Sequence, residues 1–124
     1  MALKLRKNRS EDLEPLCPLG ECMQLIGGLW TPNIIWHLSG GPRRFSELRR
    51  DIPDVSAKML TTRLREMEQA GVIDRLVVPS SPPSVEYRLT DLGQELMPAI
   101  KAIVSVGKRL KLRAGAVPAA APFG

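Results

Sequence analysis

The chain has 124 residues, enough for one domain with a single modest core but not for two. Its 18 Lys and Arg against 13 acids leave a formal charge of +5, a mild basic balance suited to a polyanionic partner. No apolar run approaches the roughly 18 residues of a membrane span, and five aromatics are too few for stacking on single-stranded bases to be the main mechanism. Two cysteines without a signal peptide point to a reducing, cytoplasmic setting, where they are thiols by default.

Residues 1–15 mix cations and acids with little periodicity and are expected to form a loosely ordered arm. From Leu19 the pattern is helical: Cys22, Leu25, Ile26 and Leu29 recur at i, i+3, i+4 and i+7, which assigns Cys22 to the core. Gly27-Gly28 weakens the end of that helix, and Thr31-Pro32 restarts one as N-cap and first helical residue. The second helix is expected to bury Ile34, Ile35 and Leu38 with Trp30 or Trp36, and to stop at Gly40-Gly41. His37, the lone histidine, reads as a packed or surface side chain.

A short helix follows from Ser46, the expected N-cap, to Ile52, anchored by Phe45 and Leu48 and ending before Pro53. The most informative stretch is Asp54 to Gly71, with Ser56 as N-cap and Gly71 as stop. At about 100° per residue, Leu60, Leu64 and Met67 share one narrow apolar sector. Lys58, Thr62, Arg65 and Gln69 share the opposite side, with Thr61 on the flank. Short helix, tight turn and longer helix with a polar outer face make a helix-turn-helix.

After Gly71 the period changes to that of strands. Val72, Ile73, Leu76, Val77 and Val78 are β-branched or apolar, Val85, Tyr87 and Leu89 alternate with polar residues, and the proline-rich stretch between them must be a loop. Two strands around a protruding loop form a wing. Thr90 or Asp91 caps a last helix carrying Leu92, Leu96, Ile100, Ile103 and Leu110 on one stripe, broadened by Val104; Pro98 should kink or split it. A domain this small has little left for that stripe to cover, so a partner subunit is its expected neighbour. The fold class is therefore α+β, mostly α: a winged helix-turn-helix over residues 16–113 with terminal dimerisation helices. The tail, residues 114–124, is rich in Ala and Pro and is expected to be disordered.

Seven motifs in register then carry a resemblance. They are Cys17-Pro18, Ile26-Gly-Gly-Leu-Trp30, Gly41-Pro-Arg-Arg-Phe45 with Glu47-Leu48, Ser56-Ala-Lys-Met-Leu60, Arg63-Leu-Arg-Glu, Pro82-Pro-Ser-Val-Glu-Tyr87, and Leu89-Thr90 with Gly93. Over residues 17–107 the chain resembles the HxlR-type winged-helix regulators, relatives of the MarR group. It departs from them at Leu29, where the family often has Lys, and at Ser84, where it often has Arg or Lys. The resemblance implies a homodimeric, cytoplasmic, DNA-binding transcriptional regulator, with its recognition helix on 56–70, its wing on 73–89 and dimerisation through the terminal helices. It also implies, for some members, sensing of oxidants or electrophiles by a cysteine at the place of Cys17.

Lys58, Thr61, Thr62 and Arg65 are the candidate base-reading set, since cations, hydroxyls and amides grip phosphates and read base edges. Ser56 can cap the helix and also meet a phosphate. Arg43, Arg44, Ser46 and Arg49 are further DNA-binding candidates around the helix-turn-helix. Arg63 lies beside the apolar stripe, where an ion pair with an acid and a DNA contact remain alternatives. Arg75 and Arg88 serve the wing or pair across the strands with Glu86. Cys17 near a helix N-terminus is placed for a lowered thiol pKa. Leu92, Leu96, Ile100, Ile103, Val104 and Leu110 are the expected dimer interface.

Two Cys and one His fall short of the four ligands of a structural zinc site, and no nucleophilic triad, phosphate loop or carboxylate pair is present. No cofactor, metal or catalysis is expected. The function read from the sequence is sequence-specific binding of a pseudo-palindromic double-stranded DNA operator. The rival is a winged-helix module that binds protein, its basic face merely solvated.

Overall fold

The computed structural model describes residues 18–114; the N-terminal arm, Cys17 and residues 115–124 lie outside them. Within the described residues six helices and three strands follow one another: α1 (Pro18–Ile26), α2 (Thr31–Leu38), β1 (Arg43–Arg44), α3 (Phe45–Asp51), α4 (Ala57–Gln69), β2 (Ile73–Val78), β3 (Ser84–Leu89), α5 (Asp91–Glu95) and α6 (Met97–Ala114). The α+β, mostly α winged helix-turn-helix is what the chain adopts.

α1 ends earlier than its periodicity predicts. The Gly27 N–H closes the last turn on the Met23 carbonyl at 2.8 Å, and Leu29 falls outside the helix, exposed. Only Leu25 and Ile26 at the end of α1 reach the core, so Cys22 is exposed rather than buried. α2 starts one residue earlier than expected. Trp30, at φ 74°, occupies the N-cap position without a side-chain cap, and Thr31 is already helical and buried.

The turn before α3 holds a strand too short to read from the sequence. β1 pairs with β3 in the register Arg43↔Tyr87 and Arg44↔Glu86, giving a three-stranded antiparallel sheet in the order β1-β3-β2. Because pairing keeps Arg44 extended, the cap of α3 is Arg44 and not Ser46, which stands exposed in the first turn. Glu47 Oε1 accepts from the Arg44 N–H at 2.8 Å and satisfies one of the helix's free donors.

α4 agrees with its sequence signals. Ser56 Oγ accepts from the Met59 N–H at 3.0 Å, Leu60, Leu64 and Met67 are buried, and Gly71 ends the segment at φ 81°, where a side chain would be strained. The wing pairs Ile73 with Leu89 through to Val78 with Ser84. α4, α2, α3 and the sheet bury one core around Ile34, Ile35, Leu48, Leu60 and Ile73.

Pro98 splits the last helix, as its missing N–H and ring demand. Thr90 Oγ1 accepts from the Gly93 N–H at 3.1 Å and caps α5; α6 begins at Met97, with Pro98 in its first turn. The split also changes what the stripe covers. Leu96 and Ile100 are buried in the chain's own core, and Leu92 packs against it. Leu96 and Ile100 have almost no surface left to offer a partner, with α5 packed on β3 and α6 on α2, while Leu92 stays half-buried. Ile103 and Leu110, at 43% and 57% exposure, are the stripe residues left outward, and Val104 is half-buried.

Candidate nucleic-acid interface

α3 and α4 are joined by Ile52 to Ser56, with Ile52 and Val55 buried beneath the turn. That packing fixes α4 from below and leaves its other side to solvent. Lys58, Thr62, Arg65 and Gln69 are all exposed there, and Thr61 is half-buried on the flank. Lys58 and Arg65 are seven residues apart, about 10 Å along the axis and on the same face. Neither side chain makes a hydrogen bond or ion pair within the described residues.

The two threonine hydroxyls differ from the cations. Thr61 donates to the Ala57 carbonyl at 2.9 Å and Thr62 to the Lys58 carbonyl at 3.0 Å, which leaves their oxygens as acceptors and their methyls for apolar contact. Such a face can meet base edges through Arg65 and Gln69, thymine methyls through the threonines and phosphates through Lys58.

Among the described residues the surrounding cations divide into those without an ion pair and those committed to one. Arg44, Arg49 and Arg50 are exposed on or before α3, as is Ser46. The Arg43 guanidinium, by contrast, is bound to Asp51, with Nη2 2.7 Å from Oδ1. Hydrogen bonding to Asp51, opposed by a smaller desolvation effect, raises the Arg43 pKa above its ordinary value, so it stays charged. Arg63 is engaged within the fold: it pairs with Glu66 and donates to the Leu29 carbonyl. On the wing Arg75 is exposed, while Arg88 approaches Asp74 at 3.6 Å; the cross-strand partner is Asp74 and not Glu86, as their register requires. Glu86 lies instead across from Arg44 and Leu76.

A second feature lies away from this face. α2 and α6 flank an apolar groove of about 860 Å³, with Trp36 and His37 on one wall, Ile103, Val106 and Leu110 on the other, and Lys108 at its edge. The sequence reading missed it because two helices distant in the chain make it. No group of three or more His, Cys, Asp or Glu that could hold a metal occurs among the described residues, and none of their helices is long and apolar enough to cross a membrane.

The model of the HxlR-like helix-turn-helix family matches residues 25–114. The chain belongs to that family. Among curated relatives, the helix-turn-helix-type transcriptional regulator YdeP of Bacillus subtilis (strain 168) is 40% identical over 111 residues, 90% of this chain and 86% of the relative. Solved structures of similar shape include a redox regulator and a diamide-treated protein. The redox regulator HypR in its oxidised form has a TM-score of 0.72 at 38% identity, covering 75% of this chain and 96% of that one. Diamide-treated YodB from B. subtilis has a TM-score of 0.66 at 35% identity, covering 77% and 96%. Within this HxlR-like chain the exposed face of α4 occupies the second helix of the helix-turn-helix, and β2–β3 form the wing.

Proposed function

We propose that the chain is a non-enzymatic, cytoplasmic transcriptional regulator that binds a pseudo-palindromic double-stranded DNA operator as a homodimer. α4 enters the major groove, and Arg75 and Arg88 on the wing meet the backbone or minor groove. The observation that carries this reading is the outer face of α4. Two cations that are unpaired among the described residues stand exposed with a hydroxyl and an amide, and a second hydroxyl lies on the flank, on a helix whose other side is locked into the core. Exposed Arg44 and Arg49 extend the cationic surface toward α3, with the Ser46 hydroxyl beside them. Dimerisation buries the exposed apolar residues of α6, chiefly Ile103, Val106 and Leu110, against a second copy. Likeness to HypR and YodB supports redox responsiveness, with Cys17 as the sensing candidate.

The test is binding to random duplex DNA across a salt series, followed by selection of binding sites from a genomic pool. Contacts with phosphates predict a linear fall of log affinity with log salt. Absence of binding at low salt would favour the protein-binding rival.

A further inference from the structure

α4 is held to the domain in three ways. Its apolar stripe packs in the core, its Met67 carbonyl accepts from the Val72 N–H at 2.9 Å, and one side chain reaches sideways. That side chain is Arg63. It lies on the edge between the buried stripe and the outer face, 19% exposed. Its Nε donates to the Leu29 carbonyl at 2.7 Å, and its Nη1 pairs with Glu66 one turn on at 2.5 Å. Among the described residues, no other side-chain hydrogen bond joins α4 to a different element; those of Thr61 and Thr62 turn back onto α4 itself.

The receiving carbonyl belongs to the joint between α1 and α2, Gly27 to Trp30, which is built for it. Trp30 is held at φ 74°, a conformation that a bulky residue keeps only where its surroundings impose it. A Cβ on Gly28 would stand 2.8 Å from Thr31 Oγ1 and 3.2 Å from Arg63 Nε, so glycine is what lets the guanidinium approach this backbone. The leucine side chain contributes nothing, being exposed; the bond uses the main chain alone.

Apolar packing is non-directional and leaves a helix with a three-residue stripe some freedom to roll about its axis. A hydrogen bond on one flank is directional and removes that freedom. We infer that Arg63 is the positioning residue of the reading helix: through the Leu29 carbonyl it fixes the roll of α4, and with it the aim of Lys58, Thr62 and Arg65, without touching DNA. The same bond makes the α1–α2 joint the place from which a displacement of α1 reaches α4. The consequence for DNA rests on the proposed function; the geometry does not.

Three substitutions test it. Arg63→Met keeps the stem and removes the donor, Arg63→Lys keeps one donor and the charge, and Gly28→Ala obstructs the same contact from the other side. The first readout needs no DNA. In Arg63→Met the amides of α4 should exchange about tenfold faster or more, while those of Ile34 and Ile35 hold. Unchanged protection overturns the inference whether or not the chain binds DNA. The second readout uses an operator selected with the wild type. Arg63→Met should lose about tenfold in operator affinity with random-duplex affinity and salt slope unchanged. Arg63→Lys should recover most of the loss, and Gly28→Ala should add little to Arg63→Met. A parallel loss on operator and random duplex with a shallower salt slope makes Arg63 a phosphate contact instead. A loss that follows the unfolded fraction makes it an ordinary fold residue. A wild type with no sequence preference overturns the DNA reading alone, and amide exchange then decides the positional claim.

Discussion

Arg43 grips the carboxylate of Asp51 side-on, Nε to Oδ2 at 3.0 Å and Nη2 to Oδ1 at 2.7 Å. The pair ties β1 to the last residue of α3 and so clamps the first helix of the helix-turn-helix to the sheet. Its geometry is the bidentate arrangement that arginine forms best. Arg43→Gln and Asp51→Asn should each lower the thermal midpoint, and the double variant should cost less than their sum. Arg43→Gln should leave the salt slope of random-duplex binding unchanged. A reduced slope with an unchanged midpoint would instead return Arg43 to the phosphate contacts.

Gly93 marks a close approach of α5 to the turn before β2. A Cβ there would run into the Val72 carbonyl and stand 2.9 Å from Leu89 Cδ2. The obstacle is main chain and cannot swing aside. Gly93→Ala should therefore cost about 1–3 kcal/mol in urea denaturation, as over-packing does. A variant as stable as the wild type would contradict the packing described for α5.

α6 divides into a half that holds the fold and a half available to a partner. Ile100 is 2% exposed and faces the core, so Ile100→Ala should cost about 2–5 kcal/mol. Ile103→Asp and Leu110→Asp alter exposed positions and should dissociate the dimer without unfolding the chain. Analytical ultracentrifugation checks this. A Leu110→Asp chain that stays dimeric at low micromolar concentration removes that half of α6 from the interface.

Which parts of this were legible beforehand follows from how local their causes are. Ser56, Gly71 and the Leu60–Leu64–Met67 stripe are local signals, and α4 lies where they place it. The wing was legible for the same reason, since alternation and a proline-rich loop need no tertiary information. What depends on distant partners was not. β1 exists only because β3 lies beside it, and its pairing moves the α3 cap from Ser46 to Arg44. Cys22 fits an apolar stripe by spacing, yet α1 meets the core only at its end. Leu96 and Ile100 read as one continuous interface with Ile103 and Leu110, yet α5 on β3 and the start of α6 on α2 turn them into the core. For the candidate site, exposure of Lys58, Thr62 and Arg65 was legible, while the commitment of Arg43 to Asp51 and of Arg63 to Leu29 was not.

The two thiols separate the redox proposal from general cysteine damage. Diamide should change operator affinity in the wild type and leave Cys17→Ser unaffected. Cys22 is exposed on α1 and reachable by the same reagent, so Cys22→Ser is the needed comparison and should still respond unless it is the resolving thiol. An undiminished response in Cys17→Ser would remove Cys17 as the sensor.

The central claim is that the outer face of α4 reads DNA, and paired substitutions on that face test it most directly. With the selected operator in a fluorescence-anisotropy salt series, Arg65→Ala should cost about 1–3 kcal/mol for each half-site and relax preference at one base pair in each. Lys58→Ala should weaken operator and random duplex alike and reduce the salt slope of the dimer by about two, one for each subunit. Leu60→Ala, buried beneath the same helix, serves as control, and its loss of binding should follow its unfolded fraction. Wild-type affinity, specificity and salt slope in both Arg65→Ala and Lys58→Ala would contradict the account.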